Sequence, residues 1–293
     1  MIVHVVPRLR LDAVPNFIVD LNQRDVGSVK HMVLTSQPWS SELYGLALRL
    51  AGFGIDCCNG DINADTILRH DPVNVCVYDA VDNVVGDLPC VEFLHRGLVP
   101  AIPQSKLVAS GIGHGQRAPD LEMRLCPDLH LTLRRCDRKE RPAGIKATVA
   151  YIDSCPETYD YAFAQSLIDT CPGYGVRVIV QEDSSVNADF SKYAKSKMGP
   201  LVSVATFELH THLKVLEHTD ILCLRRPCHR LRAEAATLGI PSLTVKSGDD
   251  VVAYMKKLND PRFKDQVNME TRALAFGNDL GLYLPRLNKL LEA

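Results

Sequence analysis

The sequence predicts an α/β protein made of two halves, each a parallel sheet covered by helices on both faces. Three observations carry this expectation. Short runs rich in β-branched and apolar residues alternate along the chain with segments whose apolar residues recur every three or four positions. The strand-like runs are nearly all apolar, as in Ile221 to Leu224, which is how strands covered on both faces read. The alternation breaks once, in the charged stretch LTLRRCDRKERPAGIK from Leu131 to Lys146, and then restarts. The expected organisation is therefore a first lobe over 1–140, a second over 141–275, and a C-terminal helix over 276–293.

In the first half, Val3 to Val6 reads as a strand and is followed by a loop carrying Arg8 and Arg10. Asp12 to Leu21 reads as a helix with Pro15 in its first turn, where a missing N–H costs nothing. His31 to Thr35 is a strand. Ser40 or Ser41 caps a helix from Glu42 to Ala51 whose buried face is Leu43, Leu46, Ala47 and Leu50. Further strands are Ile55 to Cys58, Val73 to Tyr78 ending at Asp79 and Asp82, Cys90 to Leu94 ending at His95, and Lys106 to Ala109. Ile62 to Arg69 is a short helix, and GIGHG, which contains His114, is a loop.

In the second half, Thr148 to Ile152, Val176 to Val180 and Leu201 to Ala205 read as strands. Ser154 and Glu157 have capping-box spacing, ahead of a helix with Tyr159, Phe163 and Leu167 on one face. Glu208 to Glu217 and Asp249 to Leu258 are helices, the latter stopped at Asp260-Pro261. The last thirty residues are mostly helical, with Pro285 as a kink.

Composition narrows the class. The chain has 293 residues, is 46% hydrophobic and carries a formal net charge of −2, ordinary for a globular protein and uninformative about partners. No apolar run reaches the roughly 18 to 20 residues of a membrane span. The start, MIVHVVPRLR, reads as a first strand and not as a signal peptide. Ten Cys lie scattered without a Cys-x-x-Cys pair, so a reducing, cytoplasmic setting is expected, without disulfides or a zinc site. His210 and His212, two apart on an expected helix, face different sides and do not suit a metal.

The stretch with most chemistry is HTDILCLRRPCHRLRAEAATLGIPSLTV, His218 to Val245. It reads as a strand, a loop over Arg225 to Arg230, a helix from Leu231 to Leu238 stopped by Gly239, and a returning strand. The loop brings Arg225, Arg226, His229 and Arg230 to a helix start, where unpaired N–H groups favour an anion. Glu234 sits one turn further in. That set suits a nucleoside diphosphate and its ribose, the carboxylate accepting from a vicinal diol. The alternative is an ordinary helix ion pair between Arg230 and Glu234, four residues apart.

Ala-Glu-Ala-Ala-Thr-Leu-Gly-Ile-Pro-Ser-Leu from Ala233, with the strand from His218 to Leu224 before it, resembles the nucleotide-binding lobe of GT-B glycosyltransferases of the glycogen-synthase-like group. The resemblance covers about 200 to 293 and is architectural before that. It implies two Rossmann-like lobes facing a cleft, a C-terminal helix crossing back to the first lobe, and a nucleotide-sugar donor whose ribose hydroxyls Glu234 would hold. It further implies sugar transfer with retention, no metal and no separate cofactor. His95 matches the pocket histidine that ends a first-lobe strand in this group, and Asp79 would stand beside it. Three departures are plain. Arg226 stands where relatives place a second Glu, Tyr151 to Tyr159 holds no Arg or Lys for the donor phosphates, and Arg8 to Leu11 replaces a Gly-rich loop.

The acceptor is expected to be a hydroxyl. Compact enzymes resembling this fold include the bacteriophage transferases that place sugars on hydroxylated pyrimidines in DNA, so DNA is the first expectation. Arg134, Arg135 and Arg138 in the basic segment, with Arg8, Arg10 and His114, would contact it. No aromatic residues interleave that segment, so it reads equally as a solvated linker. A glycan or small-molecule acceptor, a nucleotide-sugar 2-epimerase, and a catalytically silent nucleotide-binding protein are the alternatives.

Overall fold

The computed structural model describes residues 1–10, 13–24, 29–94, 98–109, 117–153, 159–182, 188–198, 201–206 and 211–292. The chain divides into two units: Met1–Cys126 together with Leu280–Ala293, and Pro127–Asp279. The division thus precedes the charged stretch, and the chain returns to the first unit only after Asp279.

The first unit contains β1 (Ile2–Val5), α1 (Ala13–Arg24), β2 (His31–Thr35), α2 (Ser41–Gly52), β3 (Asp56–Asn59) and α3 (Ala64–Leu68). Then follow β4 (Asn74–Tyr78), β5 (Val91–Leu94), β6 (Lys106–Ala109) and the two-residue β7 (Leu121–Glu122). All pairings are parallel, in the order β3-β2-β1-β4-β5-β6-β7. Every residue of β1, β2 and β5 is buried, which explains their lack of polar alternation. Two histidines nevertheless lie inside this sheet. His4 Nε2 is 2.9 Å from His31 Nδ1, and His4 Nδ1 is 3.0 Å from the Tyr78 hydroxyl. Tyr78 in turn stacks on Phe93, with ring centres 4.8 Å apart. The Ser40 side chain caps α2 by accepting from the Leu43 amide, and Asn63 does the same for α3.

The second unit opens with α4 (Leu129–Arg135), which runs into the stretch whose composition reads as a linker. Its elements continue as β8 (Ala147–Tyr151), α5 (Tyr161–Thr170), β9 (Val176–Glu182), α6 (Ala188–Met198), β10 (Val202–Thr206) and α7 (Thr211–Leu216). They end with β11 (Ile221–Leu224), α8 (His229–Thr237), β12 (Ser242–Thr244), α9 (Gly248–Lys257) and α10 (Pro261–Gly277). The last helix, α11 (Leu280–Glu292), belongs to the first unit and contains Pro285. The second sheet is parallel throughout, in the order β10-β9-β8-β11-β12. Alternate residues of β8 feed opposite faces: Val149 and Tyr151 pack with Phe163, Leu167 and Val251, while Ala150 packs with Leu213, Leu231 and Ala235. Gly248 lets α9 start against α5. A Cβ there would meet the Ser166 carbonyl oxygen at 2.6 Å, and the Gly248 amide donates to Ser166 Oγ at 2.8 Å.

Each sheet has one central strand from which the chain departs in both directions, β1 in the first and β8 in the second. Ligands of open parallel sheets bind outside the carboxyl ends of the strands at such a switch point. The places to inspect are therefore the loops after β1 and β4, and those after β8 and β11.

Candidate functional site

After β11 the chain turns through Arg225 to Cys228 and enters α8. The helix starts two residues earlier than its apolar pattern shows, so His229 and Arg230 are helical and not loop residues. Its N-cap, Cys228, makes no side-chain cap hydrogen bond. The helix start lies at the β8/β11 switch point, the kind of position where first-turn N–H groups favour an anion.

The cations around this helix start have different tasks. Arg225 is held in place: its Nε donates to Asp160 at 2.8 Å, a terminal nitrogen donates to the Val245 carbonyl at 3.3 Å, and the guanidinium lies 5.4 Å from the centre of the Phe163 ring. It ties the segments that follow β8, β11 and β12 to one another. Asp160 also caps α5, accepting from the Phe163 amide at 2.9 Å. Partial burial pushes its carboxyl pKa up, but the bonds from Phe163 and Arg225 outweigh that and leave it below the ordinary value. Arg226 is exposed and forms no hydrogen bond or ion pair among the described residues. His229, the first residue of α8, is half-buried.

Arg230 and Glu234 point inward. Glu234 is 1% exposed; it accepts from Arg230 Nε at 3.0 Å and stands 2.7 Å from His212 Nε2 on α7. The i,i+4 ion pair expected as the alternative is thus present, with His212 as a third member. Sequence spacing gives no sign of His212, because its partner lies 22 residues away on a different helix. Asp160, 65 residues before Arg225, is another partner that only the tertiary fold identifies.

In the first unit, Arg8 and Arg10 follow β1, and Asp79 follows β4, at the carboxyl ends of the two strands flanking the switch point. Asp79 has a left-handed backbone, φ 48°, and its amide donates to the Phe93 carbonyl at 2.9 Å. Asp tolerates that region better than most residues, and such backbones concentrate at functional turns. Arg8 is exposed, while Arg10 and Asp79 are half-buried. His95 and His114 lie outside the described residues, as do Ser154, Glu157 and His210.

The basic segment is largely tied to its own unit. Arg138 donates to the Leu216 carbonyl at 2.9 Å and to that of Thr219. Lys139 pairs with Glu217 at 3.0 Å, and Arg141 with Asp220 at 2.9 Å. Arg134 and Arg135 occupy the last turn of α4, where positive charge complements the helix dipole. Among the described residues no group of three or more His, Cys, Asp or Glu is placed to hold a metal, and no helix is long and apolar enough to cross a membrane.

No family model and no curated protein matches the sequence. Solved structures do. A glycosyltransferase from Rickettsia africae aligns with a TM-score of 0.65 at 11% identity, covering 99% of this chain and 97% of that one. HepE of Anabaena in complex with UDP aligns with a TM-score of 0.65 at 13% identity, covering 99% of each chain. The fold is GT-B. UDP-GlcNAc 2-epimerase from Neisseria meningitidis, bound to UDP-GlcNAc, aligns with a TM-score of 0.60 at 12% identity over 99% of this chain and 100% of that one. Identities this low establish architecture alone, so the chemistry has to come from the residues.

Proposed function

We propose that this protein is a glycosyltransferase whose second unit binds a nucleotide-sugar donor and whose first unit handles a hydroxyl acceptor. The observation that carries the reading is the start of α8 at the switch point of the second sheet, with the exposed Arg226 beside it and no side-chain cap from Cys228. Helix N–H groups and one guanidinium form a site for the donor diphosphate. Structural neighbours solved with UDP or UDP-GlcNAc support a nucleotide-sugar as the ligand.

In the transfer, the bond between the sugar's anomeric carbon and the diphosphate oxygen breaks, and a bond to the acceptor oxygen forms. The diphosphate leaves with the bonding electrons, and the acceptor hydroxyl loses its proton. Preorganised donors at the α8 start stabilise the negative charge that grows on the leaving oxygen. Arg226 and His229 supply donor contacts in this reading. Arg225, Arg230 and Glu234 act by positioning, since each is already engaged within the unit. Asp79, Arg8 and Arg10, with His95, are assigned to the acceptor side. Retention of configuration and the absence of a metal requirement remain part of the proposal through the family resemblance.

The test is calorimetric titration with UDP, GDP and the corresponding sugar nucleotides. Arg226→Ala is expected to weaken diphosphate affinity roughly tenfold, the worth of one charge-assisted hydrogen bond. Unchanged affinity for every nucleotide would remove the site from this helix.

A second reading, nucleotide-sugar 2-epimerase, is favoured by the neighbours that carry that name. Incubation with UDP-GlcNAc separates the two: an epimer formed without acceptor supports the epimerase, and a glycosylated acceptor supports the transferase. DNA as acceptor rests on the basic segment, where Arg138, Lys139 and Arg141 are bonded within the unit.

A further inference from the structure

The second unit also contains a cavity of about 520 Å³ at the opposite edge of its sheet from the α8 start. Ala147 and Ile221, the first residues of β8 and β11, line it, as does Pro241 just before β12. Val252 and Met255 of α9 and Val267 of α10 add apolar walls. This volume lies inside the range of roughly 300 to 1,000 Å³ typical of small-molecule pockets, and the mixture is also typical: an apolar lining with a few charged groups.

Outside one ion pair, the charge in the lining is of one sign. Arg141 is neutralised by Asp220 at 2.9 Å, which takes both out of consideration. Lys146, Lys256 and Lys264 remain, and none of them forms an ion pair among the described residues. The Lys256 ammonium lies 5.5 Å from the ring centre of Tyr174, an aromatic side chain that is 41% exposed at the cavity wall. An exposed ring under a cation, beside two more ammonium groups and an apolar floor, matches a ligand with a flat apolar body and an anionic head. We infer that this cavity is a second binding site, for an aromatic phosphate or a ligand of similar chemistry, separate from the donor site. It does not depend on the proposed transferase activity, because it shares no residue with the α8 start.

The probe is 1-naphthyl phosphate, titrated calorimetrically into the whole chain with UDP present in saturating amount, so that the donor site is blocked. Saturable binding of one molecule per chain is expected, with 1-naphthol and inorganic phosphate each binding at least about tenfold more weakly. The double variant Lys146→Glu/Lys264→Glu changes two exposed side chains and is expected to weaken the probe at least about tenfold while leaving UDP affinity unchanged. The charge-neutral Lys146→Gln/Lys264→Gln variant should fall between. No saturable binding, equal binding by 1-naphthol, or equal binding by the charge-reversed variant would each overturn the inference. A loss of UDP binding alone would count against the transferase reading and not against this one.

Discussion

Replacing Glu234 by Gln separates a positioning role from a direct role in donor binding. The two side chains have nearly the same volume, so no cavity forms and the change is one of charge and hydrogen bonding. Glu234 Oε1 accepts from Arg230 Nε at 3.0 Å, and Oε2 is 2.7 Å from His212 Nε2; the Glu and Arg side chains are 1% and 3% exposed. Removing the carboxylate charge takes a counter-charge away from the buried Arg230 guanidinium. Breaking a buried pair in this way costs about 3 to 5 kcal/mol, a large part of the roughly 5 to 15 kcal/mol available to a domain. With a urea dependence of about 2 kcal/mol per molar, the midpoint of the second unit should fall by roughly 1.5 to 2.5 M.

The two units need not unfold together, so the assay must follow each. Trp39 is the one Trp of the sequence and lies in the first unit, so its fluorescence reports that unit, while far-UV circular dichroism reports both. The variant should move the dichroism transition and leave the Trp39 transition in place. The pair Arg230→Met/Glu234→Leu removes both charges and should recover much of the loss. UDP affinity of the folded variant should remain within about threefold of the parent. A variant with normal stability and abolished UDP binding would refute the positioning role and put Glu234 on the donor ribose.

Three further outcomes are expected. Gly248→Ala places a methyl group 2.6 Å from the Ser166 carbonyl oxygen, so α9 must shift from α5; calorimetry should show a melting temperature lower by about 2 to 10 °C, and an unchanged one would mean the contact relaxes freely. His4 is wholly buried, and desolvation together with the nearby His31 holds its pKa well below the usual 6.5. The unfolded chain therefore takes up that proton first: the first unit keeps full stability above about pH 6.5 and loses up to ~1.4 kcal/mol per pH unit below it, until the folded-state pKa is reached. Urea midpoints across pH 7.5 to 5 read this directly, and a His4→Gln variant that keeps the same slope would assign it elsewhere. For DNA, Arg134→Ala/Arg135→Ala should abolish any duplex binding seen at low salt if α4 makes the contact, and binding that survives would exclude this segment.

The strands were readable because parallel strands buried on both faces carry their signal locally: β1, β8 and β11 need nothing beyond their own apolar runs to be found. Capping was also local, as Ser40 shows. Element ends were harder wherever charge lay inside a helix. Arg230 looks like a loop residue until Glu234 and His212 bury it, and α4 looks like linker because Arg134 and Arg135 follow its two buried residues, Leu131 and Thr132. A sequence shows how many cations a segment has, but not which are already neutralised. Around the α8 start, Arg225 pairs with Asp160 and Arg230 with Glu234, 65 and 4 residues away, while Arg232 is bonded to the Ser242 hydroxyl, which leaves its charge in place. Local counting therefore overstates the charge available to a ligand. Arg226 is exposed and makes no hydrogen bond or ion pair among the described residues. The diphosphate site proposed above draws on helix N–H groups with Arg226 and His229, so its affinity is expected to depend weakly on salt and strongly on the Arg226 side chain.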